Sequence, residues 1–167
     1  MEYRKVTAGD RDVADLYTEA FPPVERIPLR KLIRRGYDFE GAYEGEELVG
    51  LYCTVPGDGM TFLFYLAVRK DLRGRGYGSE ILRKVCEDSS VSVVLNIEYT
   101  GEDTPEDDGK LRRKVFYLRN GFTDSGYVLE DEQGRFNVLS DGEFDAGRYS
   151  DLLSGIGRGI ILTRAPP

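Results

Sequence analysis

Tyr65-Leu66-Ala67-Val68-Arg69-Lys70-Asp71-Leu72-Arg73-Gly74-Arg75-Gly76-Tyr77-Gly78-Ser79 is the stretch on which the reading of this chain turns. An apolar and aromatic run enters it from Met60 and stops at Val68. Ile81, Leu82, Val85 and Cys86 follow it with the spacing of one helix face. A strand, a glycine-rich turn and a helix are therefore expected in immediate succession. Glycines let successive backbone N–H groups turn into one concavity. The first turn of the helix adds unpaired N–H groups and a positive dipole end. The pattern predicts an anion site suited to phosphate or pyrophosphate, built from Arg73, Gly74, Arg75, Gly76, Tyr77, Gly78 and Ser79. Arg73 and Arg75 can pair with phosphate oxygens. A Walker phosphate loop fails because no Gly-Lys-Ser/Thr follows. A dinucleotide fingerprint fits poorly: its third glycine would fall on Ser79, and its strand should open the domain.

Working outward, Tyr3–Thr7 reads as a first strand, and Asp10 as the cap of a helix with Val13, Leu16, Tyr17 and Ala20 as its stripe. Phe21-Pro22-Pro23 breaks that helix, and a short one is expected over Leu29–Arg34, ending at Gly36. Strands are expected over Phe39–Tyr43, Glu47–Val55 and Met60–Val68, separated by the turn signals Glu44-Gly45 and Pro56-Gly57-Asp58-Gly59. The unbroken apolarity of Met60–Val68 predicts a central strand covered on both faces. Beyond the glycine-rich helix come a buried strand over Val91–Ile97 and an acidic loop from Glu98 to Gly109. A helix marked by Leu111, Val115 and Leu118 follows, closed by Asn120-Gly121. A strand pair over Phe122–Leu129 and Phe136–Leu139, a helix through Tyr149, Leu152, Leu153 and Ile156, and a strand over Gly159–Thr163 complete the chain. The order β-α-α-β-β-β-α-β-α-β-β predicts a mixed α/β, or α+β, sheet protein.

At 167 residues the chain fits a single domain over 1–167 with a proper core. The net charge of −7 opposes binding to phosphate backbones, so no nucleic-acid partner is expected; a cationic or small-molecule substrate suits it better. The absence of histidine excludes Ser-His-Asp and Cys-His mechanisms and any His-ligated metal. Cys53 and Cys86 have no metal-ligand spacing, so neither a metal site nor a disulfide framework is expected. Cys86 falls on the apolar helix face, and Cys53 in a strand without a basic partner, so neither is an attractive acyl carrier. No secretory signal follows Met1-Glu2-Tyr3-Arg4-Lys5, and no run of 18 apolar residues occurs; a cytoplasmic location without membrane partners is expected.

The pattern Arg73-x-x-Gly76-x-Gly78 after Leu66-Ala67-Val68 resembles the acyl-CoA signature of the GNAT superfamily of N-acetyltransferases. Phe116-Tyr117-Leu118-Arg119-Asn120-Gly121-Phe122 resembles the helix-to-strand segment that follows the fifth strand there, about forty residues on. The element order matches from Tyr3 to about Leu129; the extended C-terminal segment from about residue 130 goes beyond a minimal member. The resemblance implies a mixed, mostly antiparallel central sheet flanked by helices, with an acyl-CoA cleft between the fourth and fifth strands. It implies acetyl-CoA as cofactor, its thioester carbonyl accepting N–H bonds beside Leu66, Ala67 and Val68 and its pyrophosphate over residues 73 to 79. The partner would be a small-molecule or peptide amine, acetylated by direct attack in a ternary complex. A homodimer is one assembly open to it.

An amine like that of lysine, with a pKa near about 10.4, arrives protonated at neutral pH, so something must take its proton. Alternation puts Asn96 and Glu98 on one face of the fifth strand, opposite Leu95 and Ile97. Glu98 is the candidate base, as a partly buried carboxylate of raised pKa; the alternative is a solvated glutamate leading the acidic loop. The resemblance assigns Tyr117 as proton donor to the leaving thiolate; the alternative is core packing. Phe21–Pro28 falls where the superfamily places its variable substrate loop, and Glu25 could pair with a cationic amine there. The loop Glu102-Asp103-Thr104-Pro105-Glu106-Asp107-Asp108 could attract polycations or be merely solvated. Two other classes share these features. One is an acyl-CoA sensor of the same fold without turnover. The other is a nucleotide-binding regulatory domain.

Overall fold

The computed structural model describes residues 1–105, 108–157 and 159–165. Its elements are β1 (Glu2–Lys5), α1 (Arg11–Ala20), α2 (Leu29–Arg34), β2 (Asp38–Glu44), β3 (Glu47–Gly57), β4 (Met60–Val68), a 3-10 turn (Lys70–Leu72) and α3 (Tyr77–Asp88). There follow β5 (Ser92–Glu98), α4 (Gly109–Arg119), β6 (Thr123–Asp131), β7 (Gly134–Ser140), α5 (Ala146–Ile156) and β8 (Ile161–Arg164). The protein is mixed α/β, with hydrogen-bonded strand order β1-β2-β3-β4-β5-β7-β6-β8. The β4–β5 ladder is parallel, whereas β1–β2, β2–β3, β5–β7, β6–β7 and β6–β8 are antiparallel. Among the described residues no helix is long and apolar enough to cross a membrane.

The chain forms two compact units, Met1–Pro56 with Leu63–Asp88, and Gly57–Phe62 with the residues from Ser89 onward. In the first unit, Val13, Leu16 and Tyr17 of α1 and Leu32 of α2 pack with Phe39, Leu48, Leu51, Cys53, Tyr65 and Ala67. Strict alternation would put Leu48 on the face opposite Leu51 and Cys53. The register shifts at Ala42/Tyr43, where Ala42 faces Gly50 and Tyr43 faces Leu48. The extra residue, Val49, is a bulge that returns Leu48 to the face of the other two.

Four expectations change here. The strand buried throughout its middle is β3, from Leu48 to Val55; in β4 the side chains of Phe64, Leu66 and Val68 are only half-buried. Apolarity alone cannot separate a covered strand from one with a partly open face. Asp10 precedes α1 but makes no side-chain cap: its carboxylate turns back and accepts from the Thr7 N–H at 2.5 Å and the Thr7 hydroxyl at 2.9 Å. That local bond occupies Thr7 and β1 ends at Lys5, although the Val6 N–H still donates to the Phe39 carbonyl at 2.9 Å. Cys86 is half-buried rather than core, while Cys53 is buried and its thiol pKa is pushed far up by burial.

The second unit uses the C-terminal segment in its framework. Met60–Phe62 pair with Ser92–Val94 in the parallel ladder. β7 inserts between β5 and β6, and β8 pairs with the far side of β6. α5 buries Tyr149, Leu153 and Ile156. The Tyr149 ring meets Phe62 and Phe144 edge-on, and its hydroxyl donates to Asn96 Oδ1. In α4 the expected apolar marker Leu118 is 42% exposed, and the neighbouring Tyr117 is buried in its stead.

Candidate active site

In the first unit, β4 ends at Val68 and the chain passes through the 3-10 turn into the glycine-rich loop and α3. Gly74 and Gly76 have φ of 77° and 89°, and a Cβ built on either would meet nothing within 4 Å. Glycine is therefore required by backbone conformation and not by crowding. Leu72 N–H donates to Arg69 O at 3.0 Å, and the next backbone bond is Glu80 N–H to Gly76 O at 3.1 Å. Among the described residues, none of the N–H groups of residues 73 to 79 donates to a backbone carbonyl. Such a row of unsatisfied donors, ending in the first turn of a twelve-residue helix, fits a diphosphate.

The charges suit the same ligand. Arg69 is neutralised by Glu47 at 2.9 Å and Asp71 at 2.7 Å. Arg73 and Arg75 are exposed, and among the described residues neither forms an ion pair. The Arg73 Nε donates to the Val68 carbonyl at 3.2 Å, which ties the loop to the end of β4. The expected cofactor residues Leu66–Val68 and Arg73–Ser79 are thus joined in one unit.

Gly50, which the sequence reading passed over, also shapes this region. A Cβ there would stand 2.5 Å from the Ala67 carbonyl oxygen and 2.7 Å from Ile81 Cδ1. Its absence lets β3 approach both the end of β4 and the face of α3. The available signal was a glycine interrupting the apolar run Leu48-Val49-Gly50-Leu51.

Glu25 lies in a turn in which its N–H donates to Pro22 O at 3.0 Å. Its carbonyl accepts from the Tyr65 hydroxyl at 2.7 Å.

The second unit holds the two expected catalytic residues. Glu98 ends β5 and is ion-paired with Arg113 of α4, with 36% of its side chain exposed. The carboxylate is partly buried, as expected, and the guanidinium of Arg113 sits on it. Tyr117 is 8% exposed, with Phe116 and Phe122 edge-on to its ring at 5.0 and 5.7 Å. Burial pushes the Tyr117 hydroxyl up to about 12, and the Arg113 charge opposes that rise. Arg113 therefore acts electrically on both candidates. Its signal was its position one helical turn before Tyr117 on the same face.

The acidic loop is only partly defined. Thr104 and Gly101 close a turn, and Asp108 caps α4 by accepting from Lys110 N–H at 2.7 Å; Glu106 and Asp107 lie outside the described residues. Among the described residues, no cluster of three or more acidic or cysteine side chains could hold a metal ion.

A family model described as an acetyltransferase (GNAT) domain matches residues 36–124, more than half of the chain, including β4, the glycine loop, Glu98 and Tyr117. The chain belongs to the GNAT acetyltransferase family. Solved structures of the same fold include a GNAT-family protein from Bacteroides thetaiotaomicron, with TM-score 0.73 and 22% identity over 93% of this chain and 95% of that one. The aminoglycoside 6'-N-acetyltransferase from Enterococcus faecium aligns with TM-score 0.65 and 14% identity, over 87% of this GNAT chain and 100% of its own. A GNAT acetyltransferase from Elizabethkingia anophelis, solved with acetyl-CoA bound, aligns with TM-score 0.61 and 17% identity over 83% and 95%. At these identities the likeness is one of fold. A search of curated proteins finds no match.

Proposed function

We propose that this GNAT-family protein is an acetyl-CoA-dependent N-acetyltransferase acting on a primary amine of a small molecule or peptide. The observation that carries the reading is, among the described residues, the row of N–H groups from Arg73 to Ser79 without backbone acceptors beside two arginines without acidic partners. The acetyl-CoA bound to the Elizabethkingia anophelis structure of the same fold supports the choice of ligand. Arg73, Gly74, Arg75, Gly76, Tyr77, Gly78 and Ser79 hold the diphosphate. Leu66, Ala67 and Val68 lie beyond the last rung of the ladder to β5 and line the acyl-bearing arm. When bound, acetyl-CoA supplies an activated thioester whose acyl carbon is open to attack by an uncharged amine. A backbone N–H aimed at the carbonyl oxygen contributes roughly 3–4 kcal/mol of barrier lowering.

Tyr117, held at about 12, is fully protonated at neutral pH and keeps a proton at its hydroxyl for the leaving sulfur. Complete transfer to a thiolate of ordinary pKa, about 8.5, is uphill by roughly 5 kcal/mol. Its role is therefore to hydrogen-bond the charge developing on sulfur rather than to surrender the proton early. Glu98 accepts the amine proton, directly or through a water, at a carboxylate oxygen oriented by Arg113. Glu25 lies on the segment that would face the amine.

Calorimetric titration with CoA, followed by thiol release from acetyl-CoA across an amine panel, tests the reading. Heat of binding and amine-dependent thiol release are expected. No heat refutes the diphosphate site. The Glu98–Arg113 pair favours one second reading, an acyl-CoA sensor, because the guanidinium occupies the carboxylate that would have to take the amine proton. Tight CoA binding without thiol release for any amine decides for the sensor.

A further inference from the structure

We infer that Tyr17 and Tyr65 are positioning residues that dock the segment between α1 and α2 onto β4, where it forms the acceptor-facing wall of the acetyl-transfer site. The inference rests on the reading of Leu66–Val68 as the acyl-bearing stretch. Tyr65 immediately precedes that stretch, so whatever its side chain holds is tied to the strand that lines the reaction.

Two hydroxyls hold the backbone of the segment at three points. The Tyr65 hydroxyl donates to Glu25 O at 2.7 Å. The Tyr17 hydroxyl donates to Ile27 O at 3.0 Å. The Ile27 N–H returns between them, 3.1 Å from the Tyr17 oxygen and 3.3 Å from the Tyr65 oxygen. The rings are packed independently of the segment's backbone. Tyr17 and Tyr65 meet at 5.0 Å with planes at 88°, Phe21 lies 4.8 Å from Tyr65, and Phe64 stacks on Tyr65 at 4.3 Å. Both tyrosines are at most 4% exposed.

The composition of the segment explains why it needs such a clamp. Pro22, Pro23 and Pro28 lack N–H groups, so neither strand nor helix can hold this stretch by its own ladder. Its fold depends on bonds from elsewhere, and aromatic hydroxyls on rigid elements supply them. An amine acceptor must find the segment docked. Its apparent affinity falls in proportion to the docked population, whereas diphosphate binding at residues 73 to 79 involves none of these groups.

Tyr65→Phe and Tyr17→Phe keep the rings and delete the hydroxyls. Hydrogen exchange at the Ile27 amide reads docking without any ligand, and the amine KM together with the CoA dissociation constant reads its use. Each variant is expected to speed Ile27 exchange about tenfold, and to raise the amine KM by the factor by which the docked fraction falls, with the CoA constant changed by less than about twofold. Unchanged Ile27 exchange in both variants overturns the clamp. A fall in the docked fraction with an unchanged amine KM overturns its role in acceptor binding. A CoA constant that moves with the KM shows a general loss of structure and also overturns that role. A wild-type protein that releases no thiol with any amine refutes the transferase reading and the acceptor wall with it, while the exchange data still decide the clamp.

Discussion

Replacing Gly76 with alanine separates backbone geometry from space. Gly76 has φ of 89°, and nothing lies within 4 Å of where its Cβ would stand. Alanine therefore meets no protein atom and pays only for the left-handed conformation, roughly 1–2 kcal/mol. Gly36, which follows α2, has φ of 70° and equally open space, so Gly36→Ala is a matched control remote from the anion loop in sequence. Both variants are expected to lower the melting temperature by about 2–8 °C. They should differ in ligand binding. In Gly76→Ala the strain is relieved when the loop swings to negative φ, which turns the neighbouring N–H groups away from the diphosphate. Losing one hydrogen bond to a charged group costs about 1.5–3 kcal/mol, so CoA affinity falls about 10- to 100-fold. In Gly36→Ala it stays at the wild-type value. Calorimetry gives the constants and differential scanning the stabilities. A Gly76→Ala protein destabilised like the control but binding CoA as tightly as wild type would falsify the view that these amides form the grip.

Tyr117→Phe should lower turnover about 100-fold while leaving CoA affinity intact, and loss of cofactor binding alone would point to packing. The same variant carries a pH signature. Burial holds Tyr117 at about 12 against an ordinary 10.0, so the unfolded chain gives up its proton first. Stability fully present below about pH 10 is lost as pH rises toward 12, by about 3 kcal/mol in all, and Tyr117→Phe removes that share of the loss. Urea midpoints taken on either side of this window measure it. Glu98→Gln is expected to lower turnover; a rate identical to wild type removes Glu98 from the mechanism. Gly50→Ala should cost about 1–3 kcal/mol of stability, because a Cβ 2.5 Å from the Ala67 oxygen forces backbone to move. It should also weaken CoA binding, since Ala67 and Ile81 must shift; unchanged melting and affinity would show that the strand end absorbs the group freely.

What could be read from the residues alone was local. The bounds of α2 and β4 fall where the periodicity and the proline and glycine signals put them. The shape of the glycine loop was legible because its N–H groups belong to consecutive residues, so glycine spacing and the following helix define it without any distant partner. Tyr117 was reached only through a resemblance, and its burial depends on Phe122 and the rest of the second unit. Tertiary structure alone decided the pairing of Glu98 with Arg113, fifteen residues away, and of Asn96 with Tyr149, fifty-three away. It also decided the bulge at Val49 and the hold of Tyr17 and Tyr65 on Ile27. Periodicity records which face of an element is apolar, because burial repeats with each turn or pleat. A single polar side chain reaching across the fold leaves no period, and its partner is fixed only when the sheet has brought the two together.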